Sequence, residues 1–229
     1  MHYLPTMIKP ERIQTDDGSD TLYLAGISEH YHSTFGAIQE SRHVFIESGL
    51  KNCPKSTLTI FEVGFGTGLN AYLTLLEALS SKQKINYITV EKYPLDAEIW
   101  ESLNYPSLIS EGSVDLFQAI HRSAWNEKVR INDYLTIMKL SSDIADLDYS
   151  KLPAFDLIYF DAFSPDKQPE LWAKPILNQI KRHCNQNGIF VTYCAKGEVR
   201  RNLVAVGFIV ERLPGPPGKR EMLRATKRI

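Results

Sequence analysis

Ten consecutive residues decide the fold of this chain of 229 residues. They read Phe61-Glu62-Val63-Gly64-Phe65-Gly66-Thr67-Gly68-Leu69-Asn70 and join an apolar strand pattern, 58–63, to a helical pattern, 69–79. Glycine allows a positive φ and removes the β-carbon that would keep a ligand away from the backbone. In a doubly wound sheet such a turn lies at the carboxyl edge of the strands, where nucleotide-like ligands bind. The stretch therefore predicts a ligand site directly after its strand.

Strand and helix patterns alternate after this turn. Strands are predicted at 85–90, 135–140, 155–160 and 189–194, and helices within 95–103 and 114–123, near 169–183 and at 198–206. Alternation of this kind indicates βαβ units and a largely parallel sheet, so an α/β fold is expected. Two late strand patterns, 208–210 and 222–226, are joined without a helix. They predict an antiparallel hairpin at the edge of the sheet.

The first part of the chain lacks this rhythm. Residues 1–55 are predicted to form a small N-terminal extension, and 56–229 the main domain. In the extension, 16–20 predicts a turn, 22–24 a short strand and 36–47 a helix that enters the main domain. The length suits one large α/β domain with an appendage. With 43% hydrophobic and 23% charged residues, the composition excludes a disordered, collagenous or coiled-coil protein.

Several classes of protein are disfavoured by what the sequence lacks. No apolar run approaches the roughly 18 residues of a membrane span, and the N-terminus lacks the basic and apolar regions of a secretion signal. The cytoplasm is therefore the expected location. Cys53, Cys184 and Cys194 are odd in number and lack CxxC spacing, so structural thiols are expected rather than disulfides or a zinc site. The histidines show no ligand spacing either, and no metal is expected.

The residues around the glycine turn indicate which ligand it binds. Its spacing is GxGxG, because Leu69 stands where the dinucleotide fingerprint GxGxxG requires its third glycine. Glu62, beside the turn, would repel a pyrophosphate but attract the ammonium group of an amino-acid moiety. Both features favour S-adenosylmethionine (SAM) over NAD.

Two more carboxylates follow the next strands. Glu91 ends the second strand, 23 residues after Gly68, where a carboxylate can accept hydrogen bonds from both hydroxyls of a ribose. It could also be a solvated strand end. Asp143 follows the strand 135–140 and could accept a hydrogen bond from the exocyclic amine of adenine, or cap a helix. With Glu62, these carboxylates would outline one adenosyl site at the sheet edge.

The loop after the strand 155–160 is the expected place of chemistry. Asp161 could orient an acceptor amine or take its proton, and Phe163 could stack on a base or shield the positive sulfur of SAM. A turn-forming role for Asp161 and a core position for Phe163 are the structural alternatives. Pro169 suits the first position of the following helix. Lys196, after the strand 189–194, could contact phosphate or only face solvent.

Charge is distributed unevenly along the chain. Residues 1–180 hold 15 basic and 24 acidic residues, whereas 181–229 hold 11 and 3. A basic C-terminal fifth on an acidic body indicates a local anionic partner, for which nucleic acid is the commonest candidate. A solvated basic face is the equally acceptable alternative. The basic residues expected to contact the nucleic acid include Arg200, Arg201, Lys219, Arg220, Arg224, Lys227 and Arg228.

Taken together, these motifs resemble those of the MnmC-type tRNA wobble-uridine methyltransferases. The resemblance spans residues 16–226 in separated blocks. The blocks are the glycine turn 61–70, Tyr159-Phe160-Asp161-Ala162-Phe163-Ser164-Pro165 with Pro169-Glu170-Leu171-Trp172, Val199-Arg200-Arg201-Asn202-Leu203 with Gly207-Phe208, Gly218-Lys219-Arg220-Glu221-Met222, and the lead-in Gln39-Glu40-Ser41-Arg42-His43-Val44-Phe45-Ile46.

This resemblance implies a Rossmann-like, SAM-dependent enzyme that acts on tRNA. The family methylates the primary amine of 5-aminomethyl-(2-thio)uridine and gives 5-methylaminomethyl-(2-thio)uridine. Asp161 matches the active-site carboxylate. One departure is Ala162-Phe163-Ser164, where other members carry Gly-Phe-Ala. The positions that match the SAM-binding residues of the family are Glu62, Gly64, Gly66, Gly68, Glu91 and Asp143.

In many members the methyltransferase is fused to a flavin-dependent oxidase. No second dinucleotide fingerprint is present here, so the chain is expected to be a stand-alone form that relies on a separate oxidase or another enzyme for its aminomethyl substrate. Two other interpretations compete with this one. An aminopropyltransferase of the spermidine synthase type would explain the carboxylates but leave the basic tail unused. A non-catalytic RNA-binding module would explain the tail but not the intact glycine turn.

Overall fold

The computed structural model describes residues 9–228, with the backbone alone for Glu111. Its strands in chain order are β1 (Glu11–Gln14), β2 (Asp20–Leu24), β3 (Glu29–His30), β4 (Thr57–Val63), β5 (Lys84–Glu91), β6 (Lys128–Arg130), β7 (Leu135–Ser141), β8 (Phe155–Phe160), β9 (Cys184–Thr192), β10 (Phe208–Pro214) and β11 (Glu221–Lys227). Its α-helices are α1 (Ala37–Ser41), α2 (Leu69–Ser81), α3 (Ala97–Trp100), α4 (Tyr105–Ile109), α5 (Val114–Arg122), α6 (Lys174–His183) and α7 (Gly197–Ala205).

Eight strands form the central sheet, in the order β10-β11-β9-β8-β4-β5-β7-β6. The five strands from β9 to β7 are parallel, whereas β11 is antiparallel to β9 and to β10. The chain builds outward from β4 in one direction through β5 and β7, and in the other through β8 and β9. A topological switch point therefore lies between β4 and β8, where open α/β sheets bind their ligands.

The predicted α/β fold, with its mostly parallel sheet and edge hairpin, is confirmed. The strand pattern at 155–160 matches β8 at both ends, and the hairpin of β10 and β11 pairs Phe208 with Lys227 and Pro214 with Glu221. Within the central sheet, β6 has no counterpart among the predictions. It pairs antiparallel with β7 at the other edge of the sheet, and its three residues are too few to show an alternating pattern.

Several element boundaries differ from the predictions. The helix expected from Pro169 begins only at Lys174, with Pro175 in its first turn, because residues 169–173 form turns that carry Trp172 into the core. The indole of Trp172 donates a hydrogen bond to the carbonyl of Phe163 (2.8 Å). β9 begins at Cys184 and ends at Thr192, earlier than the predicted 189–194, because its polar first residues are held by pairing with β8.

The N-terminal extension builds a small sheet of its own. β1, β2 and β3 pair antiparallel in that order, and the predicted helix 36–47 divides into α1 and a π-helix, Arg42–Glu47. Its apolar side chains Leu22 and Phe45 are buried in the same cluster as residues of β4 and α2. The extension thus packs directly on the main domain, while the boundary near residue 55 stays a prediction.

Two apolar clusters cover the two faces of the central sheet. The three cysteines are free, and all three are buried. Short 3₁₀ helices connect the elements at Leu50–Asn52, Glu111–Ser113, Ile144–Asp146 and Tyr149–Lys151. Within residues 9–228, no helix combines the length and the apolar character that crossing a membrane would require.

One buried carboxylate fastens the beginnings of the central strands. Asp156, at the start of β8, accepts hydrogen bonds from the backbone N–H of Thr59 on β4 (2.9 Å), from the Asn185 side chain on β9 (2.8 Å) and from Lys55 (2.6 Å). Burial alone would raise the pKa of Asp156, but these hydrogen bonds and the Lys55 charge outweigh it, so the pKa is lowered from 3.8. The carboxylate links three neighbouring strands, and the far ends of two of them, β4 and β8, line the cavity described below.

We expect Asp156→Asn to lower the free energy of unfolding by about 2 kcal/mol, because hydrogen bonds to a charged group are removed. Since the pKa of Asp156 is lower in the folded protein, its contribution is complete above pH 3.8 and disappears as the pH falls through the lowered value. Urea unfolding of both proteins from neutral to acidic pH measures the difference. A difference that stayed constant down to the lowest pH would contradict this role.

Candidate functional site

A cavity of about 940 Å³ opens at the carboxyl edge of the sheet, around the switch point between β4 and β8. Residues at or directly after the ends of β4, β5, β7 and β8 form its inner wall, and the loop after β8 and the N-terminal extension form its sides. Its size is that of a small-molecule site. The fold therefore places the ligand where the glycine turn predicts it.

The glycine turn approaches the neighbouring strand too closely for a side chain. Gly64 has φ +89°, and a β-carbon there would lie 2.7 Å from the carbonyl oxygen of Asp161. Gly64 and Gly66 both line the cavity. Gly68 does not line it: this residue precedes α2 with φ +71°, and a β-carbon would lie 2.5 Å from Nε2 of His121. Packing on His121 thus accounts for the third glycine.

Glu91 lies on the cavity wall at the end of β5. Its Oε2 accepts a hydrogen bond from the N–H of Gly66 (3.1 Å) and its Oε1 one from the N–H of Tyr93 (2.8 Å). Burial raises the pKa of Glu91 although both bonds act against it. Each carboxylate oxygen retains a lone pair. The carboxylate can therefore still accept the predicted hydrogen bonds from the ribose hydroxyls while it accepts one from the N–H of Gly66 in the glycine turn.

Asp143 also lines the cavity, after the end of β7. Its Oδ1 accepts a hydrogen bond from the N–H of Ala145 (3.0 Å) as the N-cap of a short helix, and its Oδ2 pairs with Lys92 (2.8 Å). The capping alternative is thus confirmed. The cap does not exclude a hydrogen bond to adenine, because Asp143 also lines the cavity. That contact stays a prediction.

Asp161 lies on the inner wall, directly after β8. Its Oδ2 accepts a hydrogen bond from Nδ2 of Asn70 in the first turn of α2 (2.8 Å). Burial and the charge of Glu40 raise the pKa of Asp161 to about 7, against the Asn70 hydrogen bond and the Lys219 charge. The side chain is therefore poised to exchange a proton near neutral pH. Asn70 has no sequence signal beyond its place beside the glycine turn.

Glu62 is placed differently from the other carboxylates. It is fully buried on β4 and is absent from the cavity wall, which its neighbours Val63 and Gly64 form instead. Burial raises the pKa of Glu62 to about 8. The contact with the ammonium group of SAM stays a prediction that this position does not favour, because the side chain is enclosed by the protein rather than open to the cavity.

The N-terminal extension contributes a wall that no sequence pattern indicates. Tyr31 and His32 line the cavity, and Nε2 of His32 forms a hydrogen bond with Oγ1 of Thr67 in the glycine turn (2.8 Å). Phe163 lines it too and meets Tyr31 edge to face, with 5.2 Å between the ring centroids. Tyr31 and Phe163 together form an aromatic pair in the same cavity as Asp161, and Phe163 is a cavity residue rather than a core residue.

The predicted basic residues lie outside the cavity wall. Lys196 pairs with Asp166, and Lys219 pairs with the buried Glu40 while its Nζ lies 3.9 Å from the ring centroid of Tyr193. Arg200, Arg201 and Arg220 are exposed. Lysines that do line the cavity are Lys9, Lys92 and Lys167. In residues 9–228, no group of three or more histidine, cysteine or acidic side chains is arranged to hold a metal ion.

The site fits an adenosyl donor on its own features. The glycine turn leaves space that a side chain would fill. Glu91, at the end of β5, can accept hydrogen bonds from the hydroxyls of a ribose, and Asp143 lines the cavity after the neighbouring strand β7. In open α/β sheets this arrangement defines a nucleotide-binding protein of the Rossmann-like class. The carboxylate of Asp161, after the strand on the other side of the switch point, adds a group able to take a proton.

Comparison with known proteins identifies the family. A family model described as S-adenosyl-L-methionine-dependent methyltransferase matches residues 113–228, more than half of the chain. The chain belongs to this family and uses SAM. Crystallised MnmC2 from Aquifex aeolicus is 28% identical with a TM-score of 0.78, over 98% of this chain and 72% of that one.

Curated relatives agree with this result. The chain is 32% identical over 211 residues to the "tRNA 5-methylaminomethyl-2-thiouridine biosynthesis bifunctional protein MnmC" of Marinomonas sp. (strain MWYL1), a match that covers 84% of this chain and 30% of the relative. It is 26% identical to the protein of the same name from Pseudomonas putida, over 96% of this chain and 35% of the relative. The resemblance to the MnmC-type methyltransferases is confirmed, and the chain spans about a third of the length of these relatives.

We expect Glu91→Gln to raise the dissociation constant for SAM about tenfold or more, because charge-assisted hydrogen bonds are removed. Isothermal titration calorimetry with the purified protein measures the change. Glu127→Gln, which removes the same charge from an exposed residue away from the cavity, serves as the control and should leave the constant unchanged. Equal affinities for all three proteins would exclude Glu91 from donor binding.

Proposed function

We propose that this chain transfers the methyl group of SAM to the primary amine of 5-aminomethyl-(2-thio)uridine at the wobble position of tRNA. The names of the MnmC relatives support this substrate. The observation that carries the proposal is the carboxylate of Asp161 on the inner cavity wall, together with the glycine turn and the aromatic pair. A proton acceptor next to an adenosyl site suits methylation of an amine, which must lose a proton.

The reaction needs a neutral amine, because an ammonium group has no lone pair with which to attack. When bound, SAM supplies an activated methyl group and a thioether leaving group. A nitrogen–carbon bond forms, the sulfur–carbon bond breaks, and one proton leaves the nitrogen. In this proposal Asp161 accepts that proton or orients the amine. Its environment brings its pKa to about 7, so the carboxylate is available near neutral pH.

The remaining groups align the partners and exclude water. Tyr31 and Phe163 both line the cavity, and their rings meet edge to face, so either ring could stack on a nucleobase. A base in tRNA must be extruded from its neighbours before chemistry can reach it, and aromatic faces hold such bases by stacking. Holding the amine in line with the donor supplies much of the rate.

We expect Asp161→Asn to lower kcat about a hundredfold or more, the usual contribution of a positioned acid–base group. Donor affinity should change little. In the wild type, kcat/KM should rise with pH up to about 7, where Asp161 becomes ionised, and this limb should vanish in the variant. Nucleoside analysis of tRNA carrying the aminomethyl group, incubated with methyl-labelled SAM, measures the product.

Asp166→Asn is the matched control for that experiment, since Asp166 is an exposed carboxylate in the same loop. It should keep the wild-type rate. Turnover of Asp161→Asn equal to that of the wild type would contradict the role of Asp161, whereas no methylation of the tRNA by the wild type would contradict the proposed substrate.

The exposed arginines of α7 support a tRNA-binding face. Arg200 and Arg201 lie exposed on one turn of α7, Arg220 is exposed in the hairpin loop, and Lys167 is exposed at the cavity. Lys219 is a weaker candidate for phosphate binding because it pairs with Glu40. Contacts between cations and phosphates release counterions and make binding depend on salt. The contact of these residues with tRNA is a proposal.

We expect the double change Arg200→Ala and Arg201→Ala to weaken tRNA binding and to reduce the slope of log K against log salt by about one for each phosphate that the arginines neutralise. Filter binding across a salt series measures it. Arg130→Ala with Arg122→Ala is the control, because both are exposed and Arg130 lies at the opposite edge of the sheet. If both pairs had the same effect, α7 would not be the binding face.

A further inference from the structure

A group of buried polar atoms lies beside the glycine turn and is not used by the reaction described above. Both carboxyl oxygens of Glu62, Oδ1 of Asn70 and the hydroxyls of Tyr87 and Thr89 are fully buried and, within residues 9–228, lack a hydrogen-bond partner within 3.5 Å. Asn70, Thr89 and Tyr87 are the polar neighbours of Glu62. Buried polar groups are nearly always paired, so atoms of this kind indicate a protonation state or a partner.

The side-chain amide of Asn70 has a hydrogen-bond partner for its nitrogen but none for its oxygen among the described residues. Its Nδ2 donates to Asp161 (2.8 Å), whereas its Oδ1 lacks a donor among the described residues. An amide oxygen can only accept, and so can an ionised carboxylate. If Glu62 were ionised, it could accept from the hydroxyls of Tyr87 and Thr89, but it could not bond Oδ1 of Asn70, because both groups would be acceptors. A protonated Glu62 has an O–H that can donate to Oδ1 of Asn70.

The surroundings of Glu62 favour the uncharged form. The groups that face it are Asn70 from α2, Tyr87 and Thr89 from β5, and Tyr159 and Asp161 from β8 and its end. All of them are neutral or acidic. Burial is the largest cause that raises the pKa of Glu62 to about 8, and the charge of Asp161 adds to it. Hydrogen bonding by the nearby side chains of Thr89, Asn70 and Tyr87 favours the anion, but it does not offset the effect of burial.

We propose that Glu62 is a protonated carboxylic acid that donates a hydrogen bond to Oδ1 of Asn70, so that Nδ2 of Asn70 holds Asp161 in place. Two carboxyl groups joined by one amide then carry one proton, and the proton stays on the inner group. Glu62 and Asn70 are thus positioning residues for Asp161, an inference that rests on the proposed function. It differs from the expected role of Glu62 as an anion that contacts the ammonium group of SAM.

The two roles of Glu62 predict different behaviour for glutamine at this position. The N–H of glutamine can donate to Asn70 as the acid does, but glutamine has no negative charge for an ammonium group. We therefore expect Glu62→Ala and Asn70→Ala each to lower kcat about tenfold to a hundredfold, the effect expected for removing a hydrogen bond to a charged group. Glu62→Gln should recover most of the turnover that Glu62→Ala loses, with the SAM affinity of the wild type.

Calorimetry with SAM and turnover on aminomethylated tRNA measure these effects. A tenfold or greater loss of SAM affinity in Glu62→Gln would overturn the proposal and show that the donor needs the anion. Failure of Glu62→Gln to recover turnover would overturn it as well. If Glu62→Ala does not fold, Glu62→Gln and Asn70→Ala still decide, because both keep a polar or small side chain at the buried site.

Infrared spectroscopy provides a test that does not depend on methyl transfer. In the wild type, where Asp161 keeps its influence on Glu62, the carbonyl band of a protonated carboxylic acid should be present at neutral pH and should disappear in Glu62→Gln. Absence of that band would overturn the proposal. If the wild type fails to methylate the tRNA but the band is present, the proposed function fails while the protonation of Glu62 stands.

Discussion

The close approach of Gly64 to the carbonyl oxygen of Asp161 is the contact on which the site depends. It brings the end of β4 and the end of β8 together at the switch point, so the donor cradle and the proton acceptor share one cavity. A β-carbon at residue 64 would lie 2.7 Å from that oxygen, a distance that would force the two strand ends apart. Glycine is therefore needed at residue 64 for the close packing of the two strand ends as well as for ligand binding.

The central part of the fold could be predicted because its strands are apolar, buried and separated by turns with clear residue preferences. β8 is buried along its whole length and agrees with its predicted bounds at both ends. The elements that differ from the predictions depend on contacts elsewhere in the chain. β6 is short and exists through pairing with β7, the start of β9 is polar and pairs with β8, and the turns before α6 exist because Trp172 enters the core.

In the candidate site, too, the residues that follow predicted strands could be predicted, whereas those from other parts of the chain could not. Glu91, Asp143 and Asp161 could be predicted because residues at the carboxyl ends of parallel strands meet at one edge of the sheet. Tyr31 and His32 could not, since the extension has no repeating pattern that shows where it packs. A sequence also shows charge but not its partner: Lys219 reads as a phosphate ligand, and the structure pairs it with Glu40 at 179 residues' separation.

That separation matters for the chemistry of Asp161. Burial raises its pKa, and the charges that modify this effect, Glu40 and Lys219, come from the N-terminal extension and the C-terminal hairpin. Glu40 is held by the N–H of Ser33 (2.7 Å), and Lys219 by the hairpin loop. The negative charge of Glu40 raises the pKa of Asp161, and the positive charge of Lys219 lowers it. A change in the packing of the extension or of the hairpin would therefore alter the pH at which Asp161 can take a proton. The N-terminal extension and the C-terminal hairpin therefore both influence the protonation of Asp161, although Glu40 and Lys219 themselves lie outside the cavity wall.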